Sequence, residues 1–206
     1  MNDLAAAQPY EIRIATILRE LGIPATFAAM PLQREATDLV SVRSDIYGRE
    51  QRLASEAAVR WQSMSRAAEG QGVSLLLVSA FRSVEYQRGI WERKLAMGES
   101  VQQILSVSAP PGYSEHHTGR AVDVTVEGCA PVSEEFERTP AFEWVMKHAR
   151  AFGFTMTYAR HNQYGVSYEP WHWALSSFGL KPAKAGLAAG HRRPATDNIG
   201  MHWALG

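Results

Sequence analysis

The chain has a single cysteine, Cys129. No internal disulfide can form and a cysteine cage is excluded, so any metal must be held by histidine and carboxylate. Neither sign of charge is in excess: 21 Lys and Arg against 21 Asp and Glu give a formal net charge of zero. That removes the global attraction that draws basic proteins to nucleic acid or anionic lipid. Long apolar runs are missing too, because the longest, Val73 to Phe81, is broken by Ser74 and Ser79 and falls short of the roughly 20 residues that span a bilayer. Nor does the start show a charged segment followed by an apolar one; after Leu4 to Ala7 the chain meets Gln8, Pro9 and Glu11. The expected location is cytoplasmic, or the cell envelope if a signal is trimmed or another export route is used. There is no internal repeat, and the oligomeric state is left open.

What is present is an ordinary globular composition, 206 residues with 46% hydrophobic and 20% charged side chains, enough for one good core. Ile14, Ile17, Leu18 and Leu21 predict a short helix closed by Gly22 and Pro24. A second helix is predicted from Arg49 to Glu69 on the stripe Leu53, Ala57, Trp61, Met64 and Ala68. The Val73 to Phe81 run reads as a central strand, and Ser83 as the cap of a helix stopping at Gly98. Residues 106–114 read as loop. Beyond Gly119, the alternation from Ala121 to Val126 predicts a half-buried strand with Asp123 on the face opposite the valines. Thr139 and Pro140 open another helix, and Phe154 to Tyr158 and Val166 to Leu175 read as two strands, the second broken by Pro170. Helices and strands mix without regular alternation, which predicts an α+β domain with a mainly antiparallel sheet. The expected organisation is an N-terminal extension over 1–45, one domain over 46–178, and a loosely held Gly-, Ala-, Pro- and Arg-rich extension over 179–206.

Two of the histidine environments stand apart. In Ser114-Glu-His-His-Thr-Gly-Arg-Ala-Val-Asp123 a turn leads straight into a strand bearing a lone acid, and in Tyr168-Glu-Pro-Trp-His-Trp173 a carboxylate and an imidazole sit three residues apart. A cation such as zinc takes imidazole nitrogen and carboxylate oxygen, and a catalytic site uses three protein ligands. Two histidines with Asp123 supply that set and leave Glu169 free to act on water. His-Asp pairs also serve as surface or capping features, and strand parity would place His117 rather than His116 on the face of Asp123.

These segments resemble the zinc D-alanyl-D-alanine carboxypeptidases of the vancomycin-resistance type, the VanY-like group of peptidase family M15, with their relatives the bacterial L,D-carboxypeptidases. The pattern Ser-x-His-x-x-Gly-x-Ala-x-Asp is met by Ser114, His116, Gly119, Ala121 and Asp123; Glu-Pro-Trp-His by Glu169, Pro170, Trp171 and His172; and Ser-x-x-Arg-Ser-x-x-x-Gln by Ser79, Arg82, Ser83 and Gln87. The resemblance covers about residues 73–175 and implies a single hedgehog/DD-peptidase-like domain. It implies that His116, Asp123 and His172 hold Zn2+ and that Glu169 is the general base. Arg82 would stabilise the oxyanion or grip the substrate, with Gln87 and Ser114 contacting its terminal residue. The implied partners are peptidoglycan stem peptides or precursors. A noncatalytic zinc-containing module of the same fold and a cross-bridge endopeptidase are the alternatives. One departure stands out: where relatives often carry Arg-Tyr-Pro, this chain reads Thr157-Tyr158-Ala159-Arg160, which bears on the choice between D,D and L,D bonds. If Glu169 and His172 are to meet one ion, the strand must break at Pro170.

Overall fold

The computed structural model describes residues 9–24, 26, 27 and 30–176. The expected C-terminal extension, with His191 and His202, lies outside the described residues. Helix α1 (Tyr10–Glu20) buries Ile14, Ile17 and Leu18, as their spacing predicts. A short hairpin follows, β1 (Leu39–Ser41) against β2 (Arg52–Ala54), with Val40 opposite Leu53. The helix expected from Arg49 therefore starts later, as α2 (Ser55–Glu69). Leu53 fits the helical stripe but is claimed by the hairpin, because the preceding turn is organised around the buried Asp45 carboxylate. That group accepts hydrogen bonds from the backbone N–H groups of Tyr47 and Arg49 and from the side chains of Arg49 and Gln51. The rest of the stripe is as expected: Ala57, Trp61, Met64 and Ala68 are buried.

The main sheet is antiparallel throughout, confirming the α+β class. Its strands are β3 (Leu76–Ser79), β4 (Ala121–Thr125), β5 (Phe154–Thr155) and β6 (His172–Leu175), in the order β3-β4-β6-β5. Two expectations are corrected. The Val73 to Phe81 run supplies an edge strand rather than a central one, and it is apolar because a loop covers that edge, with the Ile46 N–H donating to the Leu77 carbonyl. β4 is buried along its whole length rather than half-buried: Val122 and Val124 join Trp61 and Met64 in the core, while Asp123 faces the cleft described below. The two late strands are also shorter than predicted, and residues 156–171 between β5 and β6 are irregular.

Helix α3 (Val84–Ala96) is capped by Ser83, whose hydroxyl accepts from Tyr86 N–H; it buries Val84, Gln87 and Trp91 and leaves Tyr86 exposed. A helix not predicted from sequence, α4 (Val101–Val107), is held by a Ser100/Gln103 capping box. Its seven residues are too few to show a period. Helix α5 (Pro140–His148) begins as expected, with Thr139 accepting from Phe142 N–H. Residues 30–36 run back over the domain, where the Gln33 and Ala36 N–H groups donate to the Gly112 and His117 carbonyls. Among the described residues no helix is long and apolar enough to cross a membrane.

Candidate active site

The register of the sheet builds the first half of the site. Asp123 on β4 and His172 on β6 are direct cross-strand partners, so their side chains leave the same face with Cβ atoms about 4.5–5.5 Å apart. His172 Nδ1 lies 2.9 Å from Asp123 Oδ1. His116 arrives from a single 3-10 turn, Glu115–Thr118, ended by Gly119 at φ +63. A Cβ at Gly119 would stand 2.7 Å from the Ala54 nitrogen, so only glycine fits this bend. The bend takes residues 116–118 out of the strand, which is why parity misassigns the histidine.

Hydrogen bonding decides between the two neighbours. Both ring nitrogens of His117 are committed to backbone: Nδ1–H donates to the Arg82 carbonyl at 2.6 Å, and Nε2 accepts from Gly112 N–H at 3.0 Å. His116 commits only Nδ1, which donates to the Ala80 carbonyl at 2.5 Å. Its Nε2 is buried without a well-formed hydrogen bond, although Asp123 Oδ2 is 3.2 Å away. His117 is thus a brace between the 110–117 loop and the end of β3, and His116 is the one with a free lone pair.

One ligand atom each from His116, Asp123 and His172 lie within 4.8 Å of one another. Donors about 2.0–2.2 Å from one ion at tetrahedral angles are about 3.3–3.6 Å apart; the contacts of 3.2 and 2.9 Å, made through different oxygens of Asp123, are slightly tighter and the 4.8 Å span of the set is wider, so the cluster has the size of a metal site, with up to about an ångström of adjustment between its widest pair. The donor set fits a divalent metal. Burial and the nearby Arg82 cation push the His116 imidazole down to about 4, keeping it neutral as a ligand must be. Burial alone would raise Asp123, but the two imidazoles hold its carboxyl well below the usual range. Burial likewise opposes charge on His172, yet the flanking carboxylates of Asp123 and Glu115 raise it to about 10, so this ring, unlike His116, must shed its Nδ1 proton to become a ligand.

The cluster opens on a cavity of about 420 Å³. Glu169, Arg82, Gln87 and Ser114 all line it, with Tyr158 and Trp171 as aromatic walls. The strand break at Pro170 is present: β6 begins only at His172, whose N–H donates to the Glu169 carbonyl in a turn. Burial, with the Asp123 and Glu115 charges adding to it against His172 and Arg82, pushes Glu169 up to about 7. Arg82 Nη2 is 3.7 Å from Asp123 Oδ2, and its buried Nε has no partner among the described residues. Gln87 is not the surface residue its helix position would suggest: Nε2 donates to Ser108 Oγ and the Ala109 carbonyl, leaving Oε1 as an acceptor with no partner among the described residues. His148 stacks on Trp144, and His161 is exposed, both away from the site. Arg160, in the segment that departs from the family pattern, covers the Tyr168 ring and pairs with Glu137. Two contributors went unread in the sequence: Tyr158, whose ring packs against His172 with centroids 4.8 Å apart, and Glu115, bonded to His172 Nε2.

An antiparallel α+β domain that gathers two imidazoles and a carboxylate beside a raised glutamate and an arginine has the layout of a metal-dependent hydrolase. The chain belongs to the VanY family, D-alanyl-D-alanine carboxypeptidase, whose pattern matches residues 50–177. It is 32% identical over 165 residues to the "Putative carboxypeptidase YodJ" of Bacillus subtilis (strain 168), covering 76% of this chain and 59% of that one. It thus spans less than two thirds of that relative's length. Among solved structures, the LdcB LD-carboxypeptidase is 29% identical with a TM-score of 0.62, over 70% of this chain and 71% of that one. The D,D-pentapeptidase VanY of a VanB-type resistance cassette, a point mutant in complex with Zn(II), is 26% identical with a TM-score of 0.51, over 74% and 81%.

Proposed function

We propose that the protein is a zinc-dependent carboxypeptidase that removes C-terminal D-alanine from peptidoglycan stem peptides, at a D,D bond, an L,D bond or both. The observation that carries this reading is the meeting of His116, Asp123 and His172 within 4.8 Å at the wall of a cavity that also receives Glu169 and Arg82. His116 through Nε2, Asp123 through its carboxylate and His172 through Nδ1 would hold the ion. A bound zinc supplies Lewis-acid chemistry, polarising a carbonyl and making water a better acid. Glu169, raised to about 7, takes the proton of the attacking water on a carboxylate oxygen at neutral pH and passes it to the departing amine. The Arg82 guanidinium faces the same cavity and offers its unpaired Nε–H to a substrate carboxylate or a developing oxyanion. Gln87 Oε1 accepts a substrate N–H, and Ser114 borders the terminal residue. Tyr158 and Trp171 shield the reacting groups from water. Retention of Glu169 beside a full ligand set speaks against a noncatalytic module.

The test is incubation of purified protein with stem tetrapeptide and pentapeptide, with and without a chelator, followed by mass analysis. The reading expects loss of one alanine from at least one stem and no loss after chelation and dialysis. Equal turnover after thorough chelation, or intact peptides with the zinc-loaded protein, would contradict it.

A further inference from the structure

The candidate metal ligands are themselves held by protein groups, and one such support sits at an unspecified position of the motif that carries His116. His172 Nε2–H donates to Glu115 Oε2 at 2.8 Å, on the edge of the ring opposite the Nδ1 that faces Asp123. Glu115 is the residue just before His116 in the 3-10 turn, so one turn supplies a candidate ligand and the clamp on another that lies 57 residues further along. Its side chain is only 23% exposed. A carboxylate there accepts and does not donate, so Nε2–H stays committed to Glu115, and an ion arriving on the Asp123 side displaces the other ring proton and takes the Nδ1 lone pair. The face of the same ring packs on Tyr158, so edge and face are both fixed.

We propose that Glu115 is a positioning residue for the metal centre: its carboxylate sets the His172 tautomer and ring orientation that present Nδ1 to the ion beside Asp123 and His116. The inference rests on the metal site proposed above. Outer partners of this kind typically contribute about 10–100-fold in metal affinity.

The experiment is zinc titration of the full chain against a chromophoric competitor, for wild type, Glu115→Ala and Glu115→Gln, with the visible spectrum of the cobalt(II) form as a second readout. Glu115→Ala is expected to bind zinc about 10–100-fold more weakly with an altered cobalt spectrum, and Glu115→Gln, which keeps an acceptor oxygen, within about fivefold of wild type. Glu115→Ala matching wild type in both readouts, or Glu115→Gln as weak as Glu115→Ala, would overturn the proposal. Imidazole 15N shifts of zinc-loaded wild type need no variant: His172 should carry its proton on Nε2, and a proton on Nδ1 would refute the assignment. Wild type that takes up no zinc would bring down the metal site itself. Wild type that binds zinc while Glu115→Ala binds it equally well removes only the role of Glu115.

Discussion

Replacing His117 by phenylalanine separates the two adjacent imidazoles, because the ring volume is kept while both nitrogens are lost. The Gly112 N–H and the Arg82 carbonyl then lose the partners they hold at 3.0 and 2.6 Å in a fully buried position. Each unpaired buried group costs about 1–3 kcal/mol, so His117→Phe is expected to destabilise by roughly 2–6 kcal/mol. At about 2–4 °C per kcal/mol for a chain of this size, the melting temperature followed by circular dichroism should fall by about 4–24 °C. Below its melting point the variant should still take up one equivalent of metal, since His117 offers no free lone pair. His116→Phe is the mirror case: it forfeits one backbone hydrogen bond, to Ala80, and the contact with the buried Asp123 carboxylate, and it should lose the metal. A titration in which His117→Phe abolishes metal uptake while His116→Phe preserves it would refute the assignment.

Glu169→Gln should keep the metal and lower kcat/KM by about 10²–10⁴-fold, the usual contribution of a general base, in the stem-peptide assay; activity within threefold of wild type would remove Glu169 from the chemistry. Gly119→Ala forces a left-handed residue, worth about 1–2 kcal/mol, and sets a Cβ 2.7 Å from the Ala54 nitrogen. It should lower both the melting temperature and the metal affinity, and an unchanged value for both would contradict the bend. Burial favours the neutral form of Asp45, but its hydrogen bonds from Arg49 and Tyr47 prevail and hold its pKa below the usual carboxylate value. Its contribution to stability is therefore complete above the unfolded pKa of about 3.9 and lost as pH falls through the folded one. Asp45→Asn should be less stable at neutral pH and show a shallower acid limb in denaturant melts.

The candidate site is legible in the sequence where spacing constrains it: Ser114 to Asp123 and Glu169 to His172 stand out, and for Glu169 and His172 to face one ion a strand break at Pro170 is required, which the fold has. What was hidden depended on partners far along the chain. Leu53 fits a helical stripe, and only the Asp45 turn explains why it joins a strand. The apolar run at 73–81 looks central because a loop covers its edge, and no local pattern reports that cover. His117 and His116 differ in nothing but what lies at their ring nitrogens, namely Gly112 and Arg82 for one and Ala80 for the other. Glu115 stands in plain view within Ser-Glu-His-His, but its partner is His172, 57 residues away, and only the folded 3-10 turn against β6 brings the two together.

The most direct test is anomalous scattering at the zinc edge from crystals of the purified, zinc-supplemented protein. The account predicts one strong peak within about 2.0–2.2 Å of His116 Nε2, an Asp123 oxygen and His172 Nδ1. A peak coordinated by His117 instead, or no peak at this cluster, would contradict it.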